Sequence, residues 1–244
     1  MTYCVALYLK DGLVMLSDMR TSAGVDHIST FGKMHVFGEP GERMVALLTA
    51  GNLALTQSVV ALIQEGVEVD GETLTILTVS SMFQAAQLVG AAVRKVWKRD
   101  GAALKEQRVD FDLSILIGGQ IRGRRMRLFH VYSAGNFIEA TPDTAFFQIG
   151  EHKYGKPILD RALTFDTGIW DGVKLVLISM DSTLRSNLSV GLPLDLLVYR
   201  RDALRPELRR RIGEDDPCFR KISEDWSQAL RKAFQSLPHP EWKD

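Results

Sequence analysis

The second residue is a threonine directly behind Met1. A methionine before so small a side chain is of the kind that is usually trimmed. Trimming would leave Thr2 with a hydroxyl and a free α-amine on one residue, a self-contained nucleophile and base. An α-amine with a pKa of about 8 is in good part neutral near pH 7 and able to take a proton. Many chains begin Met-Thr without consequence, so the reading depends on what else can gather near Thr2. Asp18, Arg20 and Ser22 alternate in sequence and share a face of any regular strand. Lys33 supplies a cation from the next segment, and its charge would lower the pKa of a neighbouring amine and hydroxyl. Asp18 would hold and partly neutralise Lys33, because a lone buried ammonium is costly. Gly51 follows Leu47-Leu48-Thr49-Ala50. A glycine at a strand-to-helix junction lets a substrate carbonyl approach backbone N–H groups, which can stabilise a tetrahedral oxyanion.

The elements that must position these groups are legible in the periodicity. Tyr3 to Leu9 and Leu13 to Ser17 read as strands joined at Asp11-Gly12. A two-residue loop there would pair Thr2 with Thr21 and turn Asp18 away. A three-residue loop, Asp11 to Leu13, would pair Thr2 with Ser22 and put Asp18 on the side of Thr2, which is the register the chemistry needs. A second hairpin runs from Met34 to Phe37 and from Met44 to Leu48. Helices are expected over Leu53 to Gln64, with Asn52 as cap, and over Ser80 to Lys98. The second carries the stripe Phe83, Ala86, Leu88, Ala91, Val93 and Trp97. Strands return at Phe111 to Ile117, Met126 to Tyr132 and Phe137 to Ala140. Two helices, Lys156 to Leu163 and Gly172 to Ser182, precede a strand at Leu194 to Tyr199. Gly191-Leu192-Pro193 reads as a turn. A terminal helix opens at Asp216-Pro217 and shows Phe219, Ile222, Trp226, Leu230 and Phe234 on one face. Helices segregated from antiparallel strands are the α+β pattern. The expected architecture is a four-layer αββα sandwich in one domain, residues 1–244, with a C-terminal helical extension from about residue 203.

These residues together resemble the proteasome β type of N-terminal-nucleophile threonine peptidases. The match consists of Thr2, the segment Asp18-Met19-Arg20-Thr21-Ser22-Ala23-Gly24, Lys33 and Ala50-Gly51. The opening Thr2-Tyr3-Cys4-Val5-Ala6-Leu7, with Ser29 to Met34 and Leu48 to Leu53, resembles the Anbu family, the bacterial ancestral β-subunits. The resemblance implies self-assembly and peptide hydrolysis with Thr2 as nucleophile and base. It also implies Lys33 as pKa tuner, Asp18 as its partner, Arg20 supporting that shell and the Gly51 N–H serving the oxyanion. Ser22, Ala23 and Gly24 would contact an extended peptide. Ser189 would match the serine of a second motif, in which Ser186 stands where the proteasome pattern has aspartate. Ile149-Gly150-Glu151-His152 replaces the Gly-Ser-Gly that supports the catalytic amine in that pattern. Glu151 and His152 are expected in a solvated loop.

Composition narrows the alternatives. Thirty basic residues balance thirty acidic ones, so nothing suggests nucleic acid or an anionic membrane surface. No apolar run approaches a membrane span, and no signal peptide opens the chain. Two cysteines, Cys4 and Cys218, make neither a disulfide framework nor a zinc motif, so a cytoplasmic protein without metal or organic cofactor is expected. Arg209-Arg210-Arg211, flanked by acids, reads as a solvated helix face or a subunit contact. Trp97, Trp170, Trp226 and Trp242 read as core or interface residues. A homo-oligomer acting on peptide or unfolded protein is the leading expectation. An unfoldase partner stays open, and an amidase on small amides or a catalytically lapsed shell are the rivals.

Overall fold

The computed structural model describes residues 2–22 and 28–242. Two five-stranded antiparallel sheets stack face to face. The first has the order β12-β1-β2-β13-β14, built from β1 (Tyr3–Leu9), β2 (Gly12–Asp18), β12 (Phe146–Gly150), β13 (Leu194–Arg200) and β14 (Leu208–Ile212). The second has the order β11-β10-β9-β6-β5, built from β5 (Met34–Glu39), β6 (Arg43–Gly51), β9 (Leu113–Ile121), β10 (Arg127–Val131) and β11 (Phe137–Glu139). Two short pairs stand apart, β3 (Arg20–Ser22) with β4 (Ile28–Thr30) and β7 (Val67–Val69) with β8 (Glu72–Leu74).

Period-two alternation sorts each strand between two cores. Along β1, Cys4 and Ala6 point between the sheets, where they meet Met15, Ala46, Leu48 and Leu116. Tyr3, Val5, Leu7 and Leu9 point outward onto α3 (Lys156–Ala162) and α4 (Ile169–Ser186). The outer face of the second sheet packs on α1 (Leu53–Glu65) and α2 (Met82–Glu106) through Val45, Leu47, Ile115 and Ile117. The α+β, αββα order of layers is therefore as the sequence predicts. A last helix, α5 (Pro217–Ser236), starts at the expected cap, with Asp216 accepting from the Phe219 N–H, and leans on α4. No helix among the described residues is long and apolar enough to cross a membrane.

Several expectations are corrected. The first turn is Lys10-Asp11, because Leu9 pairs with Gly12 and Cys4 with Ser17; neither register considered for Asp11-Gly12 occurs. Gly12 is a strand residue, and a Cβ there would lie 1.9 Å from the Tyr199 carbonyl oxygen on β13. The glycine is required by the close approach of two strands and not by a turn. Strands β12 and β14 have no counterpart in the periodicity. Arg209 to Arg211 belong to β14, so the extension from residue 203 becomes helical at Pro217. The α2 helix runs past Lys98 to Glu106, and its buried face is Met82, Ala85, Val89, Ala92 and Val96 beside Ala86, Leu88 and Val93. Phe83 and Trp97 are exposed instead, as are Trp170 and Trp242, so these tryptophans are not core residues of the single chain.

Candidate functional site

At the end of the sandwich where β1 begins and β6 ends, a cavity of about 710 Å³ opens between the sheets. Thr2, Thr21, Lys33, Thr49, Ala50, Gly51, Gly150 and Glu151 are among the residues that line it. Thr2 immediately precedes β1 and is nearly buried. Asp18 closes β2, opposite Tyr3. By strict alternation its side chain would share the outward face with Tyr3. The ladder ends there, and the carboxylate instead turns into the gap, accepting the Tyr3 N–H at 3.0 Å through Oδ1. Its Oδ2 takes the Gly191 N–H at 3.4 Å. Asp18 thus reaches the site through the end of its strand, not through the register that the sequence argument required.

Lys33 lies in the segment entering β5 and is buried, with 5% of its side chain exposed. Its Nζ donates to Asp18 Oδ1 at 2.7 Å and to the Arg20 carbonyl at 2.6 Å. Burial pushes the Asp18 carboxyl above the ordinary carboxylate range, while Lys33 and the two backbone N–H groups pull the other way. Arg20 is a fastener. Its Nη1 donates to the Leu188 carbonyl at 3.1 Å, and its guanidinium lies flat against Gly191, where a Cβ would come within 2.1 Å of Nε. Gly191, in the stretch Gly191-Leu192-Pro193 read from the sequence as a turn, therefore packs against Arg20 and Asp18.

Gly51 sits where expected, at the junction of β6 with α1, with φ +100°. Asn52 caps α1 by accepting from the Ala54 N–H at 3.0 Å. Ser22, Ala23 and Gly24 bear on the peptide-contact expectation, but Ala23, Gly24 and the Ser22 side chain lie outside the described residues. Cys4, next along β1 from Tyr3, is no rival nucleophile. Its thiol is buried against the Thr49 carbonyl, and burial pushes its pKa up, away from thiolate.

The second motif departs from expectation. Ser189 does not line the cavity; its N–H donates to Asn187 Oδ1 at 2.9 Å. Ser186 is an exposed last residue of α4. Asn187, buried, points inward and donates through Nδ2 to Glu151 Oε2 at 2.9 Å. Glu151 is not solvated: 10% of its side chain is exposed, and its N–H donates to the Thr2 carbonyl at 2.7 Å. His152, by contrast, is exposed. Gly150 makes the Glu151 contact possible. Its φ is +79°, and a Cβ there would fall 1.9 Å from the Thr2 carbonyl oxygen. Gly150→Ala is expected to destabilise the chain by about 1–3 kcal/mol or more from backbone strain alone, and to displace Thr2. Urea unfolding of the variant checks this, and an unchanged midpoint would remove the constraint assigned to Gly150.

Two stacked antiparallel sheets between helical layers, with a threonine on the first strand at the mouth of the gap, define the fold of the N-terminal-nucleophile hydrolases. No protein-family model matches this chain, and no curated protein matches it. Solved structures do. Anbu (ancestral β-subunit) from Yersinia bercovieri is 51% identical with a TM-score of 0.91, covering 99% of this chain and 100% of that one. The helical assembly of the Anbu complex from Pseudomonas aeruginosa is 51% identical with a TM-score of 0.90, covering 98% of each chain. A Gly-1 mutant of Anbu from Hyphomicrobium sp. strain MC1 is 50% identical with a TM-score of 0.92, covering 99% of this chain and 100% of that one. The chain belongs to the Anbu family.

Proposed function

We propose that the chain is a self-assembling threonine peptidase whose nucleophile is Thr2 after loss of Met1. The observation that carries this reading is the buried Lys33–Asp18 pair, whose lysine lines the cavity that also holds Thr2. A buried ion pair is costly to keep. Here it keeps the Lys33 side chain in the same cavity as the residue that can combine hydroxyl and amine.

In the proposed reaction the α-amine accepts the Thr2 hydroxyl proton as Oγ1 attacks a peptide carbonyl. The Gly51 N–H donates to the oxyanion. The protonated amine returns its proton to the leaving amine as the C–N bond breaks, leaving an ester on Thr2. Water, deprotonated by the same amine, then attacks the ester; the acyl C–Oγ1 bond breaks, the amine returns its proton to Oγ1, and the acid product leaves. No step needs a metal or an organic cofactor.

Assembly rests on the apolar surface of the single chain. Along α5, Phe219 is buried while Leu230 and Phe234 are exposed, and Trp97 and Trp170 are more than half exposed. Such patches mark contact surfaces, the relative from Pseudomonas aeruginosa forms a helical assembly, and a homo-oligomer is the reading they support.

The decisive experiment uses protein beginning at Thr2 and a peptide epoxyketone, which needs both a hydroxyl and a free amine on one residue for its cyclic adduct. One adduct per chain, mapped to Thr2 by mass, is expected. Unreacted Thr2-started protein would favour the lapsed shell. Cleavage of small amides in preference to extended peptides would favour an amidase.

A further inference from the structure

The Glu151 carboxylate, with 10% of its side chain exposed, has no part in the reaction above. It lines the same cavity as Thr2. Backbone alternation aims the Thr2 nitrogen at its strand. Within an antiparallel ladder a residue directs its N–H and C=O to the same neighbour. Tyr3 donates to β2 through Asp18, whereas the Thr2 carbonyl accepts from Glu151 on the β12 side. The nitrogen of Thr2 therefore faces the β12 edge, where Glu151 begins.

Among the described residues, two groups touch the carboxylate. Lys153 approaches Oε1 at 3.3 Å, but 65% of its side chain is exposed, and such pairs contribute little. Asn187 is different. Its backbone N–H closes α4 on the Thr183 carbonyl, and its Oδ1 takes the Ser189 N–H. That leaves the Nδ2 group to donate to Glu151 Oε2 and settles which way the amide points. A side-chain clamp built from the end of α4 thus holds one oxygen of a nearly buried carboxylate in a cavity wall.

We propose that Glu151, held by Asn187, is the positioning residue for the α-amine of processed Thr2, binding its ammonium form and presenting the amine to the hydroxyl. This rests on the reading of Thr2 as an N-terminal nucleophile, but it concerns the amine and not turnover. The carboxylate opposes Lys33: one favours the charged amine and the other the neutral one. Among the described residues, the other titratable or charged groups around the mouth are Asp18, Arg20, Cys4, Asp112, His152 and Lys153. None of them is changed in the test.

The test measures the pKa of the α-amine in protein beginning at Thr2, from the pH dependence of its carbamylation by cyanate, read by peptide mass. Glu151→Gln keeps the shape and an acceptor for Asn187 but loses the charge. It is expected to lower the amine pKa by about one unit. Where peptides are hydrolysed, the acidic limb of kcat/KM moves to lower pH by the same amount, a shift that a merely structural residue would not produce. If Glu151→Gln does not fold, Asn187→Ala is read instead, with a smaller fall in the same direction. An amine pKa that is unchanged or raised overturns the proposal. A lowered pKa in protein that cleaves no peptide supports the Glu151 assignment while sinking the peptidase reading, so the two fail separately.

Discussion

Thr2→Ala is expected to lower kcat by about a million-fold, to the level that binding and oxyanion donation leave when a nucleophile is removed. The methyl group that remains fills much of the same space in a nearly buried site, so melting temperature and native mass should be unchanged. Thr2→Ser keeps hydroxyl and amine on one residue and should retain turnover, which separates the chemistry from the shape. The measurement is hydrolysis of a fluorogenic peptide panel by protein whose intact mass shows that Met1 is gone. Normal hydrolysis by Thr2→Ala would end the mechanism. So would hydrolysis by protein that keeps Met1, because the base exists only after that peptide bond is cut.

Lys33→Ala is expected to damage activity and stability together. Lys33 Nζ bonds Asp18 at 2.7 Å and the Arg20 carbonyl at 2.6 Å. Its loss leaves a fully buried carboxylate with two backbone N–H partners. Breaking such a pair from one side costs about 3–5 kcal/mol, and the loss of the tuning charge should cost about 10²–10⁴-fold in kcat/KM. The pH dependence follows from the raised Asp18 pKa. The folded chain then holds a proton that the unfolded chain releases near pH 3.9. The stability tied to this group is full below that pH and is lost as pH rises through the folded value. Without Lys33 the folded value rises further, so the loss extends toward neutral pH. Urea midpoints should differ most from the parent near neutrality and converge on acidification. A gap independent of pH would mean that Asp18 is not what Lys33 compensates.

What could be read in the chain followed from short-range regularities. Period-two and 3.6 patterns identify β1, β6 and α1, since the alternation of apolar and polar residues is a property of the element's own sequence. Asn52 and Asp216 are legible as caps because capping is local. The residue types of the site, Thr2, Asp18, Arg20, Lys33 and Gly51, were recoverable because each lies in a motif within the first quarter of the chain.

Register, partnership and burial were not recoverable. The hairpin turns at Lys10-Asp11 because Gly12 must pass the Tyr199 carbonyl on β13, a strand far along the sequence. Strand β14 escaped because three consecutive arginines, Arg209 to Arg211, break any period-two alternation, and β12 was not read as a strand. Glu151 was expected in a solvated loop and Asn187 was given no role; the signal that could have found Glu151 was Gly150, a glycine with no turn to make. By itself the sequence determined which groups exist and which elements carry them, since both are properties of neighbouring residues. The tertiary structure alone decided that Asp18 turns in at the end of its strand, that Lys33 is buried and that Glu151 lines the same cavity as Thr2. Each of these is set by the approach of backbones distant in the chain, which no local pattern encodes.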